Sequence, residues 1–232
     1  MLGGIARRVG AGLLPPRCLV CGDAGDGDDL CAPCRSELPW NRVCCARCAW
    51  PLPVAAPECG VCLRRPPAFE RGFAALVYAA PVPHLLPRFK FHADLASGRL
   101  LAQLLGDALA SWDGLADIDR IVPLPLHRSR LAQRGYNQAL ELARPLARRF
   151  GLALDADALR RTRATAAQTE LDGPARKRNV RGAFVANGDL SGARVLLIDD
   201  VITTGATMRE AAATLQRAGA AQVHVCAVAR AP

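Results

Sequence analysis

Val195-Leu196-Leu197-Ile198-Asp199-Asp200-Val201-Ile202-Thr203-Thr204-Gly205-Ala206-Thr207 decides how this chain of 232 residues folds. Its first four residues are apolar without alternation, the mark of a strand buried on both faces. That strand delivers two adjacent carboxylates to its C-terminal end. A short turn with two threonines and a glycine then opens a helix, expected over Thr207 to Ala218 and ended by Gly219. In open α/β sheets, ligands bind where strands end. Amides of such a turn, together with a helix N-terminus, offer donors to a phosphate, and the threonine hydroxyls add more. Gly205 lets the backbone approach the ligand. Two carboxylates would repel a phosphate beside them, but they suit a cis-diol or a hydrated Mg²⁺. A diol next to a phosphate describes a ribose 5-phosphate.

Outward from this string, strands alternate with helices. Phe73 to Tyr78, Ile121 to Pro125 and Val223 to Val228 read as strands, and Leu95 to Leu109 as an amphipathic helix. Asn137 to Phe150 reads as a helix that Pro145 should kink. The pattern predicts a parallel sheet with helices on both faces over residues 68–232. Arg160 to Gly182 is polar, basic and without period, as expected for a functional or mobile loop.

Residues 1–67 are different: rich in Cys, Pro and Gly, with no sustained period. Nine of the 10 cysteines lie here, eight of them as Cys18/Cys21, Cys31/Cys34, Cys45/Cys48 and Cys59/Cys62. One Cys-x-x-Cys turn supplies two of the four soft ligands that zinc takes, so four turns make two structural Zn²⁺ sites. Redox-active thiols are the competing reading. Cys45 rather than Cys44 has the two-residue spacing to Cys48. Ala49 stands where many such turns carry glycine, which weakens the second site. Adjacent pairs would give two sites in series; alternating pairs would give a cross-brace. Arg64-Arg65-Pro66-Pro67 reads as the linker to the second domain.

Composition bounds the rest. The chain is 51% hydrophobic and 22% charged, enough to bury a core. No apolar run approaches the ~18 residues of a membrane span. Without a recognisable signal peptide, a cytoplasmic location is expected. The formal charge of +9 falls to +5 if eight cysteines bind two Zn²⁺ as thiolates. Positive charge gathers in the second half, with six arginines between His127 and Arg149 and seven basic residues between Arg160 and Arg181. Such clusters predict weak, salt-sensitive binding of single-stranded nucleic acid.

The string around Asp199 and Asp200 resembles the signature of type I phosphoribosyltransferases, which bind phosphoribosyl pyrophosphate (PRPP). The resemblance implies that Asp199 and Asp200 hold the ribose hydroxyls. It also implies that Thr203, Thr204, Gly205, Ala206 and Thr207 hold the 5-phosphate, with Mg²⁺ accompanying PRPP. Further segments are similar to the ComF/GntX family. They are Val122-Pro123-Leu124-Pro125-Leu126-His127-Arg128, Arg134-Gly135-Tyr136-Asn137-Gln138, Thr165-Ala166-Ala167-Gln168, Arg176-Lys177-Arg178-Asn179-Val180-Arg181-Gly182-Ala183-Phe184, and Lys90-Phe91-His92 with Asp94. The family has a double zinc ribbon ahead of a type I phosphoribosyltransferase-like domain, and some members serve natural competence. Pro123, Leu124 and Pro125, with Arg128 and Arg134, are the expected pyrophosphate loop. Arg176, Lys177 and Arg178 are the expected lid. No segment spells a base pocket, so three readings stand: a transferase of unknown acceptor, a PRPP- or nucleotide-sensing module without turnover, and a single-strand-binding protein. The ribbons could also dock a protein of a DNA-uptake machinery.

Overall fold

The computed structural model describes residues 17–25, 29–163 and 180–232. The expected lid residues Arg176, Lys177 and Arg178 lie outside them. Five parallel strands make the central sheet: β1 (Arg71–Val77), β2 (Arg120–Pro123), β3 (Ala153–Leu154), β6 (Arg194–Ile202) and β7 (Gln222–Arg230), in the order β1-β7-β6-β2-β3. β4 (Leu159–Arg161) and β5 (Phe184–Ala186) form a separate antiparallel pair.

The helices are α1 (Ala32–Ser36), α2 (Gly60–Arg64), α3 (Val82–Phe91), α4 (Leu95–Leu109), α5 (Arg128–Arg134), α6 (Gln138–Phe150) and α7 (Ala206–Arg217). The run of apolar residues in β6 is split between two cores. Leu196 and Ile198 pack with α3, α4 and α6, whereas Val195 and Leu197 pack with α7. Both faces of the sheet are therefore covered, as the unbroken hydrophobicity of the strand requires.

β6 runs two residues past Asp200, because β7 continues to Arg230 and pairs with it as far as Ile202. The aspartates therefore belong to the strand itself. α6 runs without interruption through Pro145, which faces solvent. α3 is an element that sequence reasoning did not anticipate. Pro83 sits in its first turn, where no amide bond is lost, and Pro87 lies inside it. Val82, Leu85, Leu86 and Phe89 recur at helical spacing and are all buried, and their burial outweighs the bond forfeited at Pro87.

The cysteine-rich segment lies along the free edge of β1. Asn41 N donates to Ala75 O (3.0 Å), Val77 N to Pro39 O (2.8 Å) and Gly72 N to Ala46 O (3.0 Å). A side chain at Gly72 would meet the Arg47 carbonyl at 2.7 Å, so only glycine permits this contact. The edge strand is covered, and its unpaired backbone groups are satisfied. Leu30 and Leu38 join the core on the α3–α4 face, and Cys45, Cys48, Cys59 and Cys62 join the core on the α7 face.

Ala49 has φ 56° and is fully buried. The left-handed conformation costs a residue with Cβ about 1–2 kcal/mol. Glycine would remove that strain but lose a buried methyl, about 0.8 kcal/mol, and add about 0.5–1 kcal/mol of unfolded-state entropy. These terms nearly cancel. Ala49→Gly should shift stability by less than about 1 kcal/mol in thermal melts, whereas Ala49→Val, β-branched at positive φ, should destabilise by about 2 kcal/mol or more.

Candidate functional site

The C-terminal ends of β2, β6 and β7 open onto a cleft of about 650 Å³. Strand alternation sets its floor. Asp200 projects from the same face as Leu196 and Ile198, the face on which α3 packs, and Lys90 near the end of α3 meets it with Nζ–Oδ2 2.8 Å. Asp199 projects to the opposite face. Its Oδ1 accepts the Asp200 amide at 2.8 Å. Burial, and then the neighbouring Asp200 charge, push the Asp199 carboxyl up to about 8, while Lys90 pulls the other way. Lys90 thus pairs directly with Asp200 and acts on Asp199 only at longer range. The donors of a diol or a cation would complete the pairing of Asp199, so the two side chains fit either partner.

After Thr203 and Thr204 the chain turns at Gly205, φ 72°, and enters α7. Thr204 Oγ1 accepts the Ala206 amide at 3.4 Å. Asp199, Asp200, Thr203 and Thr207 line the cleft. Thr204 and Gly205 instead border a second, largely apolar cavity of about 480 Å³ behind the turn, beside Trp50, Val61, Phe69 and Ile202.

The opposite wall comes from the end of β2 and from α5. Leu124 and Pro125 line the cleft, while Pro123 ends β2 beneath it. Arg134 lines it too, its guanidinium 5.0 Å from the Phe91 ring centre. Arg128 is exposed at the start of α5 and does not line the cleft. Arg130, one turn earlier than Arg134 on the same helix, does. So do Lys90 and Arg161, the latter reached from β4. Among the described lining residues, four cations thus face two carboxylates, which suits a polyanionic ligand. Sequence reasoning singled out neither Arg130 nor Arg161 and held Lys90 only within a resemblance. The i, i+4 spacing of Arg130 and Arg134 was the signal available for the first.

The cysteines gather in adjacent pairs. Cys18, Cys21, Cys31 and Cys34 form one group and Cys45, Cys48, Cys59 and Cys62 the other, with all sulfurs of a group within 4.8 Å of one another. This selects two centres in series over a cross-brace, and Cys44 stays outside. Cys21 and Cys31 are 3.7 Å apart, as are Cys48 and Cys59. A tetrahedron with Zn–S bonds of about 2.3 Å has edges of about 3.8 Å, so both groups fit Zn²⁺. Burial opposes the Cys59 thiolate, but the Cys62 amide, the neighbouring thiols and the Val61 amide outweigh it and bring the thiol down to about 7.

Comparison with known proteins agrees with this architecture. Residues 10–63 match the double zinc ribbon domain, and residues 137–232 match the phosphoribosyl transferase domain. The DNA utilization protein YhgH of Escherichia coli is 37% identical over 205 residues, covering 87% of this chain and 90% of its own. Competence protein F of Haemophilus influenzae is 32% identical over 208 residues, with the same coverage. Among solved structures, the glutamine PRPP amidotransferase of B. subtilis complexed with ADP and GMP is 25% identical, with a TM-score of 0.35, over 55% of this chain and 24% of that one. No described helix is long and apolar enough to cross a membrane. A double zinc ribbon ahead of a phosphoribosyl transferase domain, and relatives similar over nearly their whole length, make the chain a member of the ComF/GntX family.

Proposed function

We propose that the chain binds PRPP with Mg²⁺ in the 650 Å³ cleft and transfers or senses its phosphoribosyl group, with Zn²⁺ in both cysteine centres. One observation carries this reading: β6 sets Asp199 and Asp200 on the cleft floor and runs directly into the Thr203–Thr207 turn at the start of α7. Asp199 and Asp200 accept from the ribose hydroxyls. The turn amides and threonine hydroxyls hold the 5-phosphate. Arg134 and Arg130 present planar donor forks to the pyrophosphate oxygens. In a transfer, a nucleophile bonds to C1 as the bond to pyrophosphate breaks, and the electron pair leaves with the pyrophosphate. Positive charge grows on the ribose in between, and the twin carboxylates stabilise it. Asp199 or Asp200 would hold a Mg²⁺ ion at the cleft floor, which would supply charge neutralisation to the leaving group.

The names of the relatives support a link to DNA uptake or use. The arginine clusters of the second half support weak binding of single-stranded DNA, and the ribbons a docking role toward a protein of that machinery. Calorimetry with PRPP and Mg²⁺, combined with a pyrophosphate-release assay over a panel of acceptors, tests the proposal. Binding with release for at least one acceptor identifies a transferase. Tight binding without release identifies a sensor. Absence of binding refutes both.

A further inference from the structure

Arg230, the last residue of β7, touches the second cysteine centre and the turn after the twin aspartates at once. It is 4% exposed. Its Nε donates to the carbonyl of Cys48 at 3.1 Å, and Cys48 is one of the four gathered sulfur donors. Its Nη1 donates to the carbonyl of Ile202 at 2.9 Å and also to those of Thr203 and Ala231. The guanidinium lies 4.6 Å from the ring centre of Trp50, between the two halves of the second cysteine group in sequence.

One further feature makes this contact consequential. The cavity of about 480 Å³ lies behind Thr204 and Gly205, so little side-chain packing fixes the rear of the turn there. The bonds from Arg230 to Ile202 and Thr203 supply that constraint. Loss of the ion would free the Cys48 backbone to move, and with it the carbonyl that holds Arg230 Nε. Among the described residues the first cysteine centre makes no such link: Cys18 and Cys31 belong to the core on the α3–α4 face.

We propose that Arg230 is a positioning residue that couples metal loading of the second cysteine centre, and not of the first, to sugar-phosphate affinity at the Thr203–Thr207 turn. The proposal rests on the reading of that turn as the phosphate site. Coupling of this kind is reciprocal, so the sugar phosphate must also tighten the second zinc ion.

The test measures PRPP–Mg²⁺ affinity by calorimetry and zinc content in the full-length native protein and in the Arg230→Lys, Trp50→Leu, Cys59→Ser and Cys44→Ser variants, Cys44 lying outside both groups. Arg230→Lys and Cys59→Ser should weaken PRPP binding by about 10-fold or more, Trp50→Leu by less, and Cys44→Ser by less than about 2-fold. Zinc release to a chelator gives a second readout that needs no sugar phosphate. Arg230→Lys should hasten release of one of the two ions only, and in the native protein PRPP should slow that same ion. If Arg230→Lys does not fold, Trp50→Leu and the effect of PRPP on native zinc release decide the matter. Native protein that fails to bind PRPP would remove the phosphate reading and the coupling together. Native binding that persists unchanged in the Cys59 and Arg230 variants, or a PRPP effect on neither zinc ion, would overturn the coupling alone.

Discussion

Asp199→Asn is expected to cut PRPP affinity while raising the melting temperature of the free protein; Asp200→Asn is expected to cut affinity and lower it. The two aspartates are adjacent in one strand, yet alternation gives them different surroundings. Asp200 holds Lys90 in an ion pair at 2.8 Å, with side-chain exposures of 8% and 24%. Replacing it strands the ammonium at the cleft floor. Breaking a fully buried pair costs about 3–5 kcal/mol; Lys90 keeps some access to water, so about 1–3 kcal/mol is expected. Asp199 makes no such ion pair among the described residues, and burial with the Asp200 charge raises its carboxyl to about 8. An amide there is neutral without the cost of holding a proton and can still accept the Asp200 amide, so a gain of about 1–2 kcal/mol is expected near neutral pH.

The pH dependence has a definite sign. A carboxyl whose folded-state value lies above its unfolded value favours the protonated fold. Its contribution is fully present below about 4 and lost as pH rises through about 8. Melting of the native protein should therefore decline across that window relative to Asp199→Asn. Each lost hydroxyl–carboxylate bond is worth about 1.5–3 kcal/mol, or about 10- to 100-fold in affinity. Calorimetry and melts from pH 5 to 9 check all of this. Equal destabilisation by the two substitutions would contradict the division of labour, and undiminished PRPP binding would remove the ribose assignment.

The same alternation explains what could be read beforehand. β6 announces itself because burial on both faces demands an unbroken apolar run, and Cys-x-x-Cys spacing announces a metal because the ligands are local. The wall opposite the aspartates is non-local. Lys90 reaches Asp200 only because α3 folds back over the sheet, and α3 was hidden by Pro83 and Pro87, which locally signal a break. Its stripe of Val82, Leu85, Leu86 and Phe89 was the stronger evidence. Arg161 belongs to a three-residue strand, too short to carry a period. Arg128 and Arg130 are alike to any reading of charge, and only the start of α5 decides which of them faces the cleft. Series pairing of the cysteines likewise depends on contacts beyond the Cys-x-x-Cys unit.

Removing both zinc ions should have the largest structural effect. Metal analysis is expected to give about two per chain, and a chelator should withdraw them in two phases. The first centre should empty sooner, since Cys21 is exposed, whereas all four cysteines of the second are buried. Apparent binding energies of structural zinc are about 10–16 kcal/mol, comparable to the whole stability of a domain. The short helices α1 and α2, five residues each, cannot hold the module without it. Its loss would break the bond that Asn41 donates to β1 and those that β1 donates to Pro39 and Ala46, and would uncover Leu76 and the edge of the sheet. An open apolar edge strand pairs with other chains, so the metal-free protein should scatter light at concentrations where the native protein does not. Amide exchange in β1 should quicken far more than in β2, at the other side of the sheet. A chelated protein that keeps its melting point and its protected β1 amides would show that the cysteine module folds and covers the edge without metal.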